Sequence, residues 1–362
     1  MSVTFSVVVL CLALAGYYHW YIQVVTPLLS VTSSNDSDVL CSTEVTVVVC
    51  VKNEAKNIVQ LIASLKQQTY ANFKVVIIDD DSQDNTFSLA TQAIGNDNRF
   101  VIHRLIETKK RFQAKKGVVD FAYQLVSTPW ILHIDADCIP SSNNWISSMM
   151  QKTVNPQIQL VLGLGFFKPA SNWWQHLIQG ETILIAAQYI GTTLYGKPYM
   201  AVGRNMAVHK SIYKRVKFDD KLLSGDDDLL IQQFGKEDNA TVQIAPDART
   251  LSNYPTSLKT YLKIKKRHVS TANSYSISDK FKLIIWPLGL ASTWLGLLFD
   301  SQYFTFVFGM LLFLRVLFQN KISKVIYGRT FIGFLLIVES YLLIQSLIVY
   351  IANHIRPTQK WN

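Results

Sequence analysis

The first 35 residues of the chain contain no Asp, Glu, Lys or Arg, and charge is sparse again after Leu283, while the stretch between holds nearly all the acids and bases. This partition limits the fold more than any single motif does: the chain is written for two solvents, in the order membrane, soluble domain, membrane. At 49% hydrophobic residues, the composition excludes low-complexity disorder, which buries too little apolar surface. Cys11, Cys41, Cys50 and Cys138 show neither metal-ligand pairing nor regular spacing, so a disulfide scaffold is excluded and reduced, cytosol-facing thiols are expected.

Val3 to Leu29 is uncharged and long enough to cross a hydrocarbon core, which needs about 20 apolar residues, and Tyr17, Tyr18, Trp20 and Tyr21 suit an interfacial belt. Ala13-Leu14-Ala15 resembles a signal-peptide cleavage site, but the basic n-region is missing, so residues 1–30 are expected to remain as an anchor. Leu283 to Phe299, Tyr303 to Phe318 and Phe331 to Ala352 give two or three further crossings within 281–352, the middle one short. Lys259, Lys263, Lys265, Lys266, Arg267 and Lys282 precede the first of these, the turn from Asp300 to Gln302 is base-free, and Lys321, Lys324 and Arg329 follow the second. The positive-inside rule then places the soluble domain and the 319–330 loop in the cytoplasm of a multi-pass inner (cell) membrane protein. Arg356 and Lys360 fall on the opposite side, so the last crossing fits the rule worst. Arg315 and Glu339 lie inside apolar runs, where charges either pair or snorkel to the edge. The sequons at Asn35 and Asn239 carry no weight on this reading.

Residues 39–275 have the size of one α/β domain. VTVVVCV (45–51), FKVVIID (73–79), RFVIHRL (99–105) and WILHID (130–135) are short, β-branched and apolar on both faces, as strands of a covered parallel sheet must be. Asn57 to Gln68, Ser82 to Ala93 and Gln113 to Val126 have helical spacing, which gives a β-α-β-α-β-α-β order. Such sheets bind ligands beyond the carboxyl ends of their strands.

The first strand runs into Lys52-Asn53-Glu54 with no glycine-rich turn, so neither a dinucleotide cradle nor a phosphate-binding P-loop is present. The second ends in Asp79-Asp80-Asp81-Ser82-Gln83-Asp84; one acid suffices to cap a helix, whereas several suit a bound base or ribose, whose N–H and hydroxyl groups a carboxylate accepts. The fourth ends in Asp135-Ala136-Asp137, two carboxylates two residues apart that share a face and suit Mg²⁺ or Mn²⁺ beside a diphosphate. Ser224-Gly225-Asp226-Asp227-Asp228 precedes a helical run, as N-terminal acids do, and one of its carboxylates is also placed to serve as general base. Lys109, Lys110, Arg111, Lys115 and Lys116 precede the fourth strand; with the bases before the membrane they suit lipid headgroups or a leaving diphosphate. The interleaved acids and the anchors argue against nucleic acid as a partner.

VTVVVCVKNEAKNI, FKVVIIDDDSQDNT, ILHIDAD, PYMAVGRNMAVHKSIY, SGDDDLL and KIKKRHVS, in this order and spacing, resemble the family-2 glycosyltransferases with a GT-A fold, of the bacterial membrane-anchored type. The resemblance covers about Val45 to Tyr275 and implies a nucleotide-diphospho-sugar donor and a divalent metal. It places Asp80 at the donor's base, Glu54 near the nucleotide, Asp135 on the nucleotide-sugar, Asp137 and Asp135 at the metal, Asp227 as catalytic base and Arg267 near the diphosphate; among the bases before the fourth strand, Lys116 is the donor-binding candidate. Two departures stand in the family's QxxRW block: Ile264 replaces Gln and His268 replaces Trp, which weakens processive synthesis. The expected reaction is a single inverting displacement at the anomeric carbon, from a UDP-sugar to a lipid or lipid-linked hydroxyl. The alternatives are a processive polysaccharide synthase and a non-catalytic nucleotide-sugar-binding membrane protein. Ser171 to Tyr195, apolar and aromatic, reads either as a core helix or as a helix lying in the membrane interface.

Overall fold

The computed structural model describes residues 3–31, 41–106, 109–218, 226–236, 238–299 and 301–355. Asn35, Ser224, Gly225, Asp300, Arg356 and Lys360 lie outside the described residues. The chain forms two compact units, a helical one from 1–33, 170–195 and 262–358 and a globular one from 34–169 and 196–261. Residues 170–195 and 262–275 group with the helical unit.

In the globular unit, β1 (Val45–Val51), β2 (Phe73–Asp79), β3 (Phe100–Arg104) and β4 (Trp130–Asp135) are parallel, with the helices Ile58–Lys66, Thr86–Ile94 and Ala114–Leu125 between them as the sequence pattern predicts. Val45, Val47, Val48, Val49 and Val51 are all buried, because helices cover both faces of the sheet. Six shorter strands follow: β5 (Cys138–Pro140), β6 (Leu160–Gly163), β7 (Gly165–Phe167), β8 (Met206–His209), β9 (Ala240–Gln243) and β10 (Thr250–Ser252). The main sheet has the order β3-β2-β1-β4-β8-β6-β9, mostly parallel but with β8 antiparallel to both neighbours, and β5-β10-β7 form a small second sheet. Register positions the site: Val51 at the end of β1 pairs with Asp79, and Cys50 with Asp135, so the acidic ends of β2 and β4 flank one strand end at one level.

Asn205, fully buried, ties the small sheet to the large one. Its Nδ2 donates to the carbonyls of Leu164 (2.8 Å) and Ala248 (2.7 Å), and its Oδ1 accepts from the indole Nε1 of Trp145 at 3.0 Å. Gly163 makes room for it, since a Cβ there would lie 2.5 Å from the Asn205 amide.

In the helical unit, Thr4–Ser30 and Gln302–Tyr327 are long and apolar enough to cross a membrane, and Phe334–Val349 is a shorter apolar helix. The first passes through a π-helical turn at Tyr21–Val25. The middle C-terminal helix is not short: it takes in much of the loop expected at 319–330, because Ile322, Ser323 and Ile326 continue its buried face until left-handed Gly328 caps it. Gly16 and Gly289 bring the first helix against Ile277–Gly296 so closely that a Cβ on Gly16 would lie 2.6 Å from the Cα of Gly289. Arg315 pairs instead of snorkelling: its Nε lies 2.5 Å from Glu339 Oε2, and its guanidinium stacks over Trp286 at 3.6 Å. Helix Trp173–Leu194 is a core helix, with Ile178, Ile183, Ala187 and Ile190 all buried.

Replacing Asn205 by Ala leaves a buried indole N–H and two carbonyls without their partner. Thermal unfolding of the full chain should show a loss of about 3 kcal/mol, and a loss below about 1 kcal/mol would show that the side chain is not the tie described.

Candidate functional site

The loop after β1 and the loop after β2 are laced together at the sheet edge. Asn53, in the left-handed region at φ 53°, donates its N–H to Ser82 Oγ (2.9 Å), and its Oδ1 accepts from the Gln83 N–H (2.8 Å). The Glu54 N–H donates to Thr86 Oγ1 at 2.8 Å. These bonds fix Glu54, whose Oε2 accepts from Asn57 Nδ2 at 2.6 Å. Burial pushes its carboxyl upward, the Asn57 bond offsets part of that, and repulsion from Asp137 and Asp135 adds to it, so Glu54 faces the Asp135-Ala136-Asp137 end of β4.

Asp80 is almost fully buried, which an ionised acid tolerates only when paired. Lys110 meets its Oδ1, and Lys52 Nζ lies 3.3 Å from its Oδ2. Asp79 beside it is buried as well and accepts from the Ser82 N–H at 3.3 Å, with Arg104 Nε 3.7 Å away.

At β4, Lys115 Nζ donates to Asp135 Oδ1 at 2.6 Å. Burial raises the Asp135 carboxyl, but the attraction of Lys115 outweighs it and holds the pKa below the ordinary range; Asp137, half-buried beside that charge, is pushed upward by desolvation and then by Asp135. Arg204 exerts its field on both carboxylates while donating to Ser252 Oγ (3.2 Å) and to the Gly165 carbonyl (2.8 Å). Cys138 Sγ lies with the two carboxylates in a cluster whose ligand atoms are within 4.8 Å of one another. Its thiol is held neutral by burial and by Asp137, and it bonds to Ser252 Oγ at 3.0 Å, which leaves oxygen as the donor atom on offer.

Asp227 joins this group through the backbone. Its Oδ2 accepts from the Gly203 N–H at 2.6 Å and its Oδ1 from the Asp228 N–H at 3.1 Å, at the start of helix Asp226–Phe234. Asp227, Gly203, Lys115 and His133 line one small pocket. His133 bonds through Nε2 to Tyr123 OH at 3.0 Å, and burial, then Lys115, pushes its pKa down to about 3, so it is a neutral wall.

Residues 46–217 match the model of glycosyl transferase family 2. This matched stretch, a little under half of the chain, is similar to the family-2 glycosyltransferases. No curated protein matches the chain. Among solved structures it resembles the mannosyltransferase from Pyrobaculum calidifontis in complex with GDP-Man and Mn²⁺, with a TM-score of 0.56 and 15% identity over 94% of this chain and 98% of that one. A glucosyl-3-phosphoglycerate synthase from Mycobacterium tuberculosis, in complex with Mn²⁺, UDP-Glc and phosphoglyceric acid, has a TM-score of 0.46 and 13% identity over 64% of this chain and 79% of that one. The first likeness shows the fold, GT-A, in agreement with the sheet described above.

Within the globular unit, Glu54, Asp80, Asp135 and Asp137 stand at the strand ends and the loops that follow them, and Asp227 joins them from the start of helix Asp226–Phe234 through Gly203. Lys116 is fully buried, and the ammonium that reaches the acidic end of β4 is that of its neighbour Lys115. Arg267 lies in the helical unit, on helix Leu258–Thr271. Sequence reasoning did not assign Lys52, Lys110 or Arg204 to the site, although all three lie in motifs it names. The available signal was charge balance, since a buried Asp80 requires a cation. The Gly203-Arg204-Asn205 block supplies a structural tie through Asn205 and a charged neighbour of the acids through Arg204.

Lys110→Met removes a nearly dry partner from Asp80, both side chains being 3% exposed or less. With Lys52 remaining, the expected loss of stability is about 3 kcal/mol, and adding Asp80→Asn should restore most of it. A full-chain melting series in which the double variant is no better than the single one would refute this pairing.

Proposed function

We propose that the chain is a membrane-bound inverting glycosyltransferase that moves a sugar from a nucleotide-diphospho-sugar, with UDP-sugars the first choice, to a lipid or lipid-linked hydroxyl. The observation that carries the catalytic reading is the meeting of motifs far apart in sequence. Lys115, bonded to Asp135, lines the same pocket as Asp227, and Gly203, bonded to Asp227, is followed directly by Arg204, whose charge acts on Asp135 and Asp137. A site with one candidate base, a cation-binding carboxylate pair and cationic side chains suits single displacement, whereas a glycoside hydrolase needs a second carboxylate to protonate its leaving group.

Asp135 and Asp137 offer hard oxygen donors and fit Mg²⁺ or Mn²⁺. When bound, such an ion supplies charge stabilisation of the departing diphosphate. The chain's own residues do the rest. Asp80 accepts from the donor's base, Glu54 lies by the nucleotide, and Lys115 takes the donor-binding role expected of Lys116, at the diphosphate. Arg267 keeps that role from its match to the QxxRW block. Asp227, held by two backbone N–H groups, accepts the proton of the acceptor hydroxyl as the C–O bond forms on the face opposite the leaving diphosphate.

The membrane helices support a lipid acceptor and a cytoplasmic domain at the inner membrane. His268, where polymerising relatives carry Trp, supports transfer of one sugar over processive synthesis. Incubating the purified chain with a panel of nucleotide sugars, Mg²⁺ or Mn²⁺ and a membrane-lipid extract tests donor and acceptor together; long polymer by mass spectrometry would overturn the single-transfer reading.

Asp227→Asn should lower transfer by a factor of about 100 or more with nucleotide binding nearly unchanged, measured by turnover and by calorimetry; normal turnover would remove Asp227 as the base. Asp137→Ala should abolish the metal dependence of donor binding. Equal donor affinity with and without Mn²⁺ in the unsubstituted chain would count against the metal role.

A further inference from the structure

We infer that the helical unit binds a membrane lipid with an uncharged head bearing hydroxyl or carbonyl oxygens. A cleft of about 190 Å³ lies within this unit, lined by residues of the first helix and of Trp173–Leu194, Leu258–Thr271, Ile277–Gly296 and Phe334–Ile355. Much of its wall is apolar, including Leu184, Ile185, Leu283, Leu290, Leu342 and Leu343.

The charges in the wall are already matched. Glu181 pairs with Lys265 at 2.5 Å, and Glu339 with Arg315 at 2.5 Å, so the cleft offers no net charge to an ionic head. An anionic phosphate would have to draw Lys265 away from a fully buried Glu181, leaving that carboxylate dry and unpaired. Two neutral donors also line the cleft, the indole Nε1 of Trp20 and the amide Nε2 of Gln345. Both side chains are 5% exposed, and neither nitrogen has an acceptor among the described residues. Buried N–H groups of this kind select acceptor oxygens. Gln188 and Ser346 in the same wall can also accept the proton of a hydroxyl.

The surroundings say where such a ligand comes from. Phe281, Ile284 and Leu288 on one bounding helix, and Ile344, Leu347 and Ile348 on another, are 44–66% exposed. Side chains of this kind belong in hydrocarbon, which puts the cleft within reach of lipid and leaves an acyl chain apolar wall to lie along. The site is independent of the acceptor proposed above. It does rest on the helical unit lying in a membrane.

The test uses the full chain in nanodiscs and a photoactivatable diacylglycerol, with labelled peptides mapped by mass spectrometry. Labelling should concentrate on Trp173–Leu194 and Phe334–Ile355 and be competed by unlabelled dioleoylglycerol but not by dioleoylphosphatidylglycerol. Gln345→Leu combined with Trp20→Phe should weaken that labelling at least tenfold while donor hydrolysis by the globular unit stays unchanged. Better competition by the anionic lipid in the unsubstituted chain overturns the inference, as does labelling spread evenly over all apolar helices. Release of the chain into alkaline carbonate without detergent would overturn the membrane reading and the site together, whereas an integral protein that labels diffusely overturns the site alone.

Discussion

The burial of neighbouring carboxylates is the constraint around which the globular unit is built. Register brings Asp79 and Asp135 level on either side of β1, and the residues that follow add Asp80, Asp137 and Glu54. Burial first, and repulsion from neighbouring carboxylates after it, pushes Glu54, Asp79 and Asp137 upward. Lysines answer them one at a time: Lys52 and Lys110 at Asp80, and Lys115 at Asp135. These ammonium groups offset the charge of Asp80 and Asp135. In the proposed reaction Lys115 also faces the diphosphate, so one charge serves both folding and turnover.

The parts of this arrangement that were legible in sequence are those written in uninterrupted runs. β1 to β4 announce themselves because each strand is apolar on both faces, and the acids at their ends are legible because they interrupt such a run. The six later strands have three or four residues each, too few for any period to register, and β8 enters antiparallel, which no local pattern specifies. The choice of Lys115 over Lys116 was equally hidden. On a helix, adjacent side chains diverge by about 100°, so which of the two meets Asp135 depends on how the helix is rotated against the sheet. Asp227 was found by its motif, but its tie to Gly203 is a backbone contact that sequence cannot show.

The helical unit solves a related problem with fewer charges. Arg315 and Glu339 are both buried and come from neighbouring helices, and a pair of that kind stabilises little relative to apolar side chains while making any other helix arrangement expensive. Its value lies in specificity: the guanidinium over Trp286 and the stacked Trp20 and Trp286, 3.7 Å apart, admit one rotation of the first helix about its axis. Glu181 and Lys265 repeat the device on another helix pair.

The contact between Gly16 and Gly289 bears on the order in which the protein can be made. A ribosome delivers the first helix long before its partner, with the whole globular unit synthesised in between. The two glycines touch backbone to backbone, so no side chain can hold a loose version of the contact in the meantime. The first helix must therefore wait, incompletely packed, until Ile277–Gly296 emerges. The domain folds as an insertion closed at both ends, and the last-made third of the chain completes what its first twenty residues began.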